Sequence, residues 1–198
     1  MFYNFVKYIL RFMLLFLVKL DFVNKEKIPQ QGQIVFASNH VSLWDPVILG
    51  VYLTRKVHFI AKEELFKIFF LGFIMKRIGA IPIKRGQADR NAIRQSIKYL
   101  NNGEALCIFP EGTRSLNKNI GDFLPGTSLI AVKGNAPIIP VALIGTSDIL
   151  KKGFKTKIRI VIGDPIEVNE YHNQKVPSSQ IELLTKRLED EVKSLFNE

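Results

Sequence analysis

Cysteine is nearly absent. Cys107 stands alone among 198 residues, so no disulfide within the chain can form. It lies in the apolar run Ala105-Leu106-Cys107-Ile108-Phe109 and reads there as a small buried hydrophobe, not a nucleophile. A reducing, cytosolic compartment fits this usage. Histidine is scarce too. His40, His58 and His172 lack metal-ligand companions at any recognised spacing, so no structural metal is expected. There is no Gly-x-Ser-x-Gly elbow, no P-loop and no Gly-x-Gly-x-x-Gly fingerprint. Serine hydrolases, P-loop nucleotide hydrolases and dinucleotide enzymes lose their usual signatures. Long hydrophobic runs are missing as well. The longest uncharged one near the start, Phe12 to Val18, is well short of the ~20 residues of a spanning helix. No small-residue cleavage site follows it, so a removed signal peptide is not expected.

Acid is outnumbered: 18 Asp and Glu stand against 28 Lys and Arg, a formal net charge of +10. Anionic partners follow, whether nucleic acid, anionic lipid or phosphorylated substrate. Nucleic acid is disfavoured, because no recognition motif is present and the aromatics sit in apolar runs away from the basic residues. Hydrophobic residues make up 47% of the chain, too many for disorder and enough for one domain with a sizeable core.

Residues 1–24 form a Phe-rich apolar segment in which Asn4, Lys7 and Arg11 recur at helical spacing. An amphipathic helix in the membrane interface is expected, the other reading being a helix packed on the domain's own core. Residues 25–198 read as a single domain. Apolar strand-like runs at 33–37, 56–61, 79–84, 105–109, 137–144 and 157–162 alternate with helical patterns at 46–53, 62–78, 89–102 and 127–133. Ser179 and Glu182 make a capping box for a last helix whose inner face is Ile181, Leu184, Leu188, Val192 and Leu195. The fold class expected is α/β, with a mixed, mostly parallel sheet flanked by helices. Pro82 places the 79–84 strand at an edge or a bulge. His58 reads as a structural histidine. The lysines at 151, 152, 155 and 157 read as a solvated hairpin tip.

The chain is organised around Asn39-His40-Val41-Ser42-Leu43-Trp44-Asp45-Pro46, which leaves the strand Ile34-Val35-Phe36-Ala37. A five-residue offset on one helix would separate His40 from Asp45, so the chain must turn between them. Ser42 and Asp45 have capping-box spacing, or Asp45 is itself the N-cap with Pro46 at the first helical position. Asp45 then stands beside a helix start, near the histidine. A carboxylate bonded to one imidazole nitrogen leaves the other free as a general base. The alternative is a plain cap and a loop histidine. A second turn, Glu111-Gly112-Thr113-Arg114, leaves another apolar strand at its carboxyl end, where α/β sheets bind ligands. Gly112 permits close backbone approach, Arg114 suits a phosphate and Glu111 suits a hydroxylated substrate. The alternative for Glu111 and Arg114 is a structural ion pair. Lys84 and Arg85, at the end of the 79–84 strand, are either phosphate ligands or solvated charges.

These residues carry a resemblance. His40 to Asp45 matches the His-x-x-x-x-Asp motif of the glycerolipid acyltransferases, and Phe109-Pro110-Glu111-Gly112-Thr113-Arg114-Ser115 matches their Phe-Pro-Glu-Gly-Thr-Arg-Ser motif. Gly79 to Arg85 and Ile139 to Ala142 resemble the two weaker motifs. Length and the basic, Phe-rich start resemble the bacterial 1-acylglycerol-3-phosphate acyltransferases. The resemblance implies transfer of a fatty acyl group from acyl-CoA or acyl-carrier protein, as co-substrate with no bound cofactor, to the sn-2 hydroxyl of lysophosphatidic acid. The product implied is phosphatidic acid. It casts His40 as base and Asp45 as its orienting carboxylate. Arg114, Arg85 and Lys84 hold phosphate, Glu111 places the glycerol, and Gly112 and Thr113 complete the binding turn. An anionic membrane surface and the cytoplasmic face of the cell membrane are the expected setting. Where members often carry Phe-Lys-x-Gly, this chain has Phe123-Leu124-Pro125-Gly126, so any contact made by that lysine is lost or supplied elsewhere. Glycerol 3-phosphate or another lysolipid as acceptor, and a non-catalytic module for anionic membranes, are the competing readings.

Overall fold

The computed structural model describes residues 2–84, 89–115, 119–149, 151, 155–171 and 174–197. The strands are β1 (Val18–Val23), β2 (Ile34–Ser38), β3 (Val57–Lys62), β4 (Ile81–Ile83), β5 (Ala105–Ile108), β6 (Ile138–Ile144) and β7 (Thr156–Ile162). The helices are α1 (Phe2–Leu17), α2 (Asp45–Tyr52), α3 (Phe69–Ile78), α4 (Arg90–Asn101), α5 (Gly126–Lys133) and α6 (Ser178–Asn197). The strands make one sheet in the order β1-β7-β6-β2-β5-β3-β4. Every neighbouring pair is parallel except β6 with β7.

The continuous apolar runs become central strands buried on both faces, as parallel sheets require. In β2, Ile34 and Phe36 face the layer that holds α1 and α2, with Ile48 and Leu49. Val35 and Ala37 face the opposite layer, with Leu100, Ile130 and Leu188. Pro82 sits in β4 at the sheet edge, where its missing N–H is harmless. Asp89 caps α4, its carboxylate accepting the Asn91 and Ala92 N–H groups at 3.0 Å each. The inner face expected for the last helix is buried throughout. That helix starts at Ser178, so Ser179 lies within the first turn instead of capping it.

Two segments are built differently from the expectation. Residues 18–23 of the apolar start leave the helix and form β1, paired with β7. The stretch 62–78 is split: a 3-10 turn (Glu63–Lys67) precedes α3, and the extended backbone of Ile68 separates them. Gly72 lets α3 fold back on that turn, since a Cβ there would overlap the Phe66 carbonyl.

The first helix packs on the domain through Leu10, Leu14 and Leu17. Lys7 donates to the Leu53 carbonyl at 2.8 Å, just past the C-terminus of α2, where a cation is favoured. Arg11 lies over the Tyr52 ring. With part of its polar stripe held inward, α1 turns Phe5, Tyr8, Ile9, Phe12 and Phe16 outward. Phe2 meets Phe73 edge-on, so α3 continues this face, with Phe69 at 95% exposure and Phe70 at 72%. Among the described residues no helix is long and apolar enough to cross a membrane.

Candidate active site

Parallel pairing sends the carboxyl ends of β5, β2 and β6 to one edge of the sheet. Three turns meet there: Asn39-His40 after β2, Phe109 to Arg114 after β5 and Gly145-Thr146 after β6. Asn39 is fully buried and pairs with β6 as if it were one more strand residue. Its amide donates to the Leu143 carbonyl at 3.0 Å and its oxygen accepts the Leu143 N–H at 2.8 Å. This holds the main chain that delivers His40.

The chain does turn between His40 and Asp45. Half of a capping box forms: Asp45 reaches back to the Ser42 N–H at 2.7 Å, while the Ser42 hydroxyl accepts from Trp44. Asp45 is the first residue of α2, with Pro46 next, and is fully buried. Its Oδ2 also accepts the Val41 N–H at 2.7 Å and lies 2.8 Å from His40 Nδ1. A carboxylate only accepts, so Nδ1 carries the proton and Nε2 has the free lone pair. Among the described residues Nε2 has no hydrogen-bond partner, and the side chain is 12% exposed. Phe109 stacks on the imidazole, 4.1 Å between centroids, and fixes its plane.

The 111–115 turn grips His40 from both sides. Glu111 Oε1 accepts the His40 N–H at 2.6 Å, and the Ser115 N–H donates to the His40 carbonyl at 2.8 Å. Glu111 Oε2 accepts the Gly121 N–H at 3.0 Å. Burial raises the Glu111 pKa, and these two N–H groups work against the rise. Its position makes Glu111 a brace between two loops. It forms no ion pair with Arg114, which is exposed and unpaired among the described residues. Gly112 adopts φ 69°, the left-handed bend that turns the chain toward Thr113 and Arg114. Thr113 is exposed beside a cavity of about 260 Å³ between Glu111, Ser115 and residues 119–122. Lys84 is exposed at the end of β4, its N–H bonded to Asp89. Arg85 lies outside the described residues, as do His172 and residues 152–154 of the lysine cluster.

The acyltransferase family model matches residues 19–144. The chain belongs to the acyltransferase family. It is 34% identical over 182 residues to a 1-acyl-sn-glycerol-3-phosphate acyltransferase from Bacillus subtilis, spanning 88% of this chain and 86% of that one. A chloroplastic 1-acyl-sn-glycerol-3-phosphate acyltransferase from Brassica napus is 31% identical over 156 residues, which is 75% of this chain and 45% of the relative. The crystal structure of the 1-acyl-sn-glycerophosphate (LPA) acyltransferase from Thermotoga maritima superposes with a TM-score of 0.71 at 28% identity, covering 98% of this chain and 78% of that one.

Three parts of the candidate site have no local sequence signal. Thr146 donates its hydroxyl to Asp45 Oδ1 from 101 residues away. Gly121 supplies the second donor to Glu111. Glu189 of α6 accepts the Phe123 N–H at 2.9 Å and so fixes the loop that carries Gly121. Burial disfavours the Glu189 charge, but Lys193, the Phe123 N–H and Lys186 together hold its pKa down at about 2. Two expectations made outside the site match the structure. His58 is satisfied on both ring nitrogens, by Gly79 O at 2.8 Å and Glu104 at 2.7 Å. Cys107 is fully buried, and burial pushes its thiol pKa up, away from a nucleophile's range.

Proposed function

We propose that this acyltransferase moves a fatty acyl group from acyl-CoA or acyl-carrier protein to the sn-2 hydroxyl of lysophosphatidic acid, giving phosphatidic acid. The observation that carries the reading is the dyad. His40 Nε2 is unpartnered among the described residues, while Asp45 holds Nδ1 at 2.8 Å beside the arginine-bearing turn. Nε2 takes the proton of the acceptor hydroxyl as its oxygen attacks the thioester carbonyl. Asp45 stabilises the imidazolium that forms. The tetrahedral intermediate collapses, the carbon–sulfur bond breaks, and the imidazolium returns its proton to the departing thiolate. This route needs no acyl-enzyme, so the inert Cys107 is consistent with it. Arg114, unpaired among the described residues, offers its donors to the acceptor phosphate, with Lys84 and Arg85 in the same role, while Glu111 holds the turn.

The outward phenylalanines suit the substrate's location. Phe5, Phe12, Phe16, Phe69 and Phe70 present one apolar face, with Lys67, Lys76 and Arg77 exposed along its margin. Such a face seats in the bilayer interface, and each nearby cation adds ~1 kcal/mol toward anionic lipid. Peripheral attachment at the cytoplasmic leaflet is the localisation we infer.

The test is a panel of acceptors. Purified protein is offered labelled acyl-CoA or acyl-carrier protein with lysophosphatidic acid, glycerol 3-phosphate or other lysolipids, and products are identified by mass. Phosphatidic acid as the main product is expected; a clear preference for another acceptor overturns the substrate assignment. Replacing Phe69 and Phe70 by Ser should weaken binding to vesicles containing phosphatidylglycerol. Unchanged vesicle binding would dismiss the membrane face.

A further inference from the structure

The dyad carboxylate has two oxygens in unequal surroundings. Oδ2 is held by three donors, the Val41 N–H, the Ser42 N–H and His40 Nδ1–H. Oδ1 has one partner among the described residues, the hydroxyl of Thr146. Both residues are fully buried. Facing a carboxylate, Thr146 Oγ has no choice but to donate.

The chain places this hydroxyl with some care. Thr146 comes two residues after β6, the strand paired to β2, and Gly145 bends the backbone at φ 88° to turn it inward. The same strand holds Asn39 through Leu143. One element therefore steadies His40 through its main chain and Asp45 through its side chain.

We propose that Thr146 is a positioning residue for the acyl-transfer reaction. It pins Asp45 Oδ1, which stops the carboxylate rotating and keeps Oδ2 in the plane of His40 Nδ1. Thr146 touches no substrate and acts only through Asp45. The inference rests on His40 serving as the base in the proposed function. Because the Asp45 orientation matters most when the imidazolium forms, the effect falls on turnover and not on substrate affinity.

Thr146→Val keeps the shape and removes the hydroxyl. Thr146→Ser keeps the hydroxyl and removes a methyl. Expected for Thr146→Val is a fall in kcat of about tenfold, equal to ~1.4 kcal/mol, with KM for acceptor and donor unchanged. Thr146→Ser restores kcat to within about threefold, a gap of ~0.7 kcal/mol. The NMR signal of His40 Nδ1–H should move in Thr146→Val and return in Thr146→Ser. Full kcat in Thr146→Val with an unmoved signal overturns the proposal, as does an equal loss in both variants. Should Thr146→Val not fold, Thr146→Ala against Thr146→Ser carries the same comparison. Failure of the unaltered protein to acylate lysophosphatidic acid would sink the substrate reading instead. The Nδ1–H signal needs no turnover and would still decide the role of Thr146.

Discussion

Replacing Asp45 by Asn isolates the charge of the dyad from its geometry. Three donors converge on Oδ2, so an amide NH2 cannot sit there without facing other N–H groups. The Asn oxygen must take that place, and its NH2 then meets Thr146, whose hydroxyl rotates from donating to accepting. The three bonds to the oxygen at that place survive, the Thr146 O–H gives up its acceptor, and the quantity lost beside His40 is one negative charge. With Nδ1 and Oδ2 2.8 Å apart, the charge centres of an imidazolium–carboxylate pair lie about 4 Å apart. Their attraction is about 4 kcal/mol at an effective dielectric constant of ~20. That stabilisation exists only once His40 is protonated, so it is lost from the transition state and corresponds to roughly 10²–10³-fold in kcat. KM for both substrates should stay within about threefold, because Asp45 is fully buried behind His40. Steady-state kinetics on lysophosphatidic acid in detergent micelles, with a thermal melt to show that the fold persists, make the measurement. A folded Asp45→Asn variant keeping more than about a third of wild-type kcat would refute the reasoning.

Arg114→Ala should raise KM for the phosphorylated acceptor, with a loss of about 10–100-fold in kcat/KM for one charge-assisted contact, while donor KM is unchanged. An unchanged acceptor KM would remove Arg114 from the phosphate site. Glu189 gives a prediction in pH. Its folded pKa of about 2 is below the ordinary 4.5, so its stabilisation is complete above about pH 5 and is lost as pH falls from 4.5 toward 2. Its lysine partners are 62% and 36% exposed, and solvent screening leaves a contribution of about 1–2 kcal/mol. In denaturant titrations the stability gap between wild type and Glu189→Ala should shrink by that much as pH falls from neutrality toward 2; a constant difference would contradict the linkage. Glu111→Gln can keep the bond to the His40 N–H but sets its NH2 against the Gly121 N–H, costing about 1–3 kcal/mol of stability. A midpoint equal to wild type in urea would show that the brace contributes nothing.

Local signals located most of the architecture. Continuous apolar runs marked β2, β5 and β6, Asp89 marked the start of α4, and the spacing of Ile181, Leu184 and Leu188 marked the buried face of α6. The motif residues His40 and Asp45 meet because the turn between them is short and its bonds are local. What was hidden depends on long-range pairing. β1 alternates Val18, Leu20 and Phe22 with Lys19 and Asp21, a strand period, but it follows an apolar helix without a break. Its partner β7 is more than a hundred residues away. Thr146, Gly121 and Glu189 carry no pattern of their own, since each is defined only by the side chain or N–H it reaches across the fold. The inward turn of Lys7 was equally invisible, because its acceptor is a carbonyl at the end of α2 and not a side chain.

The most direct test of the account is acyl transfer by His40→Ala on vesicles containing lysophosphatidic acid, with vesicle binding measured in the same preparation. A loss of about 10²–10⁴-fold in turnover, with binding as tight as wild type, is the predicted result. Turnover equal to wild type would contradict the assignment of His40 as the base.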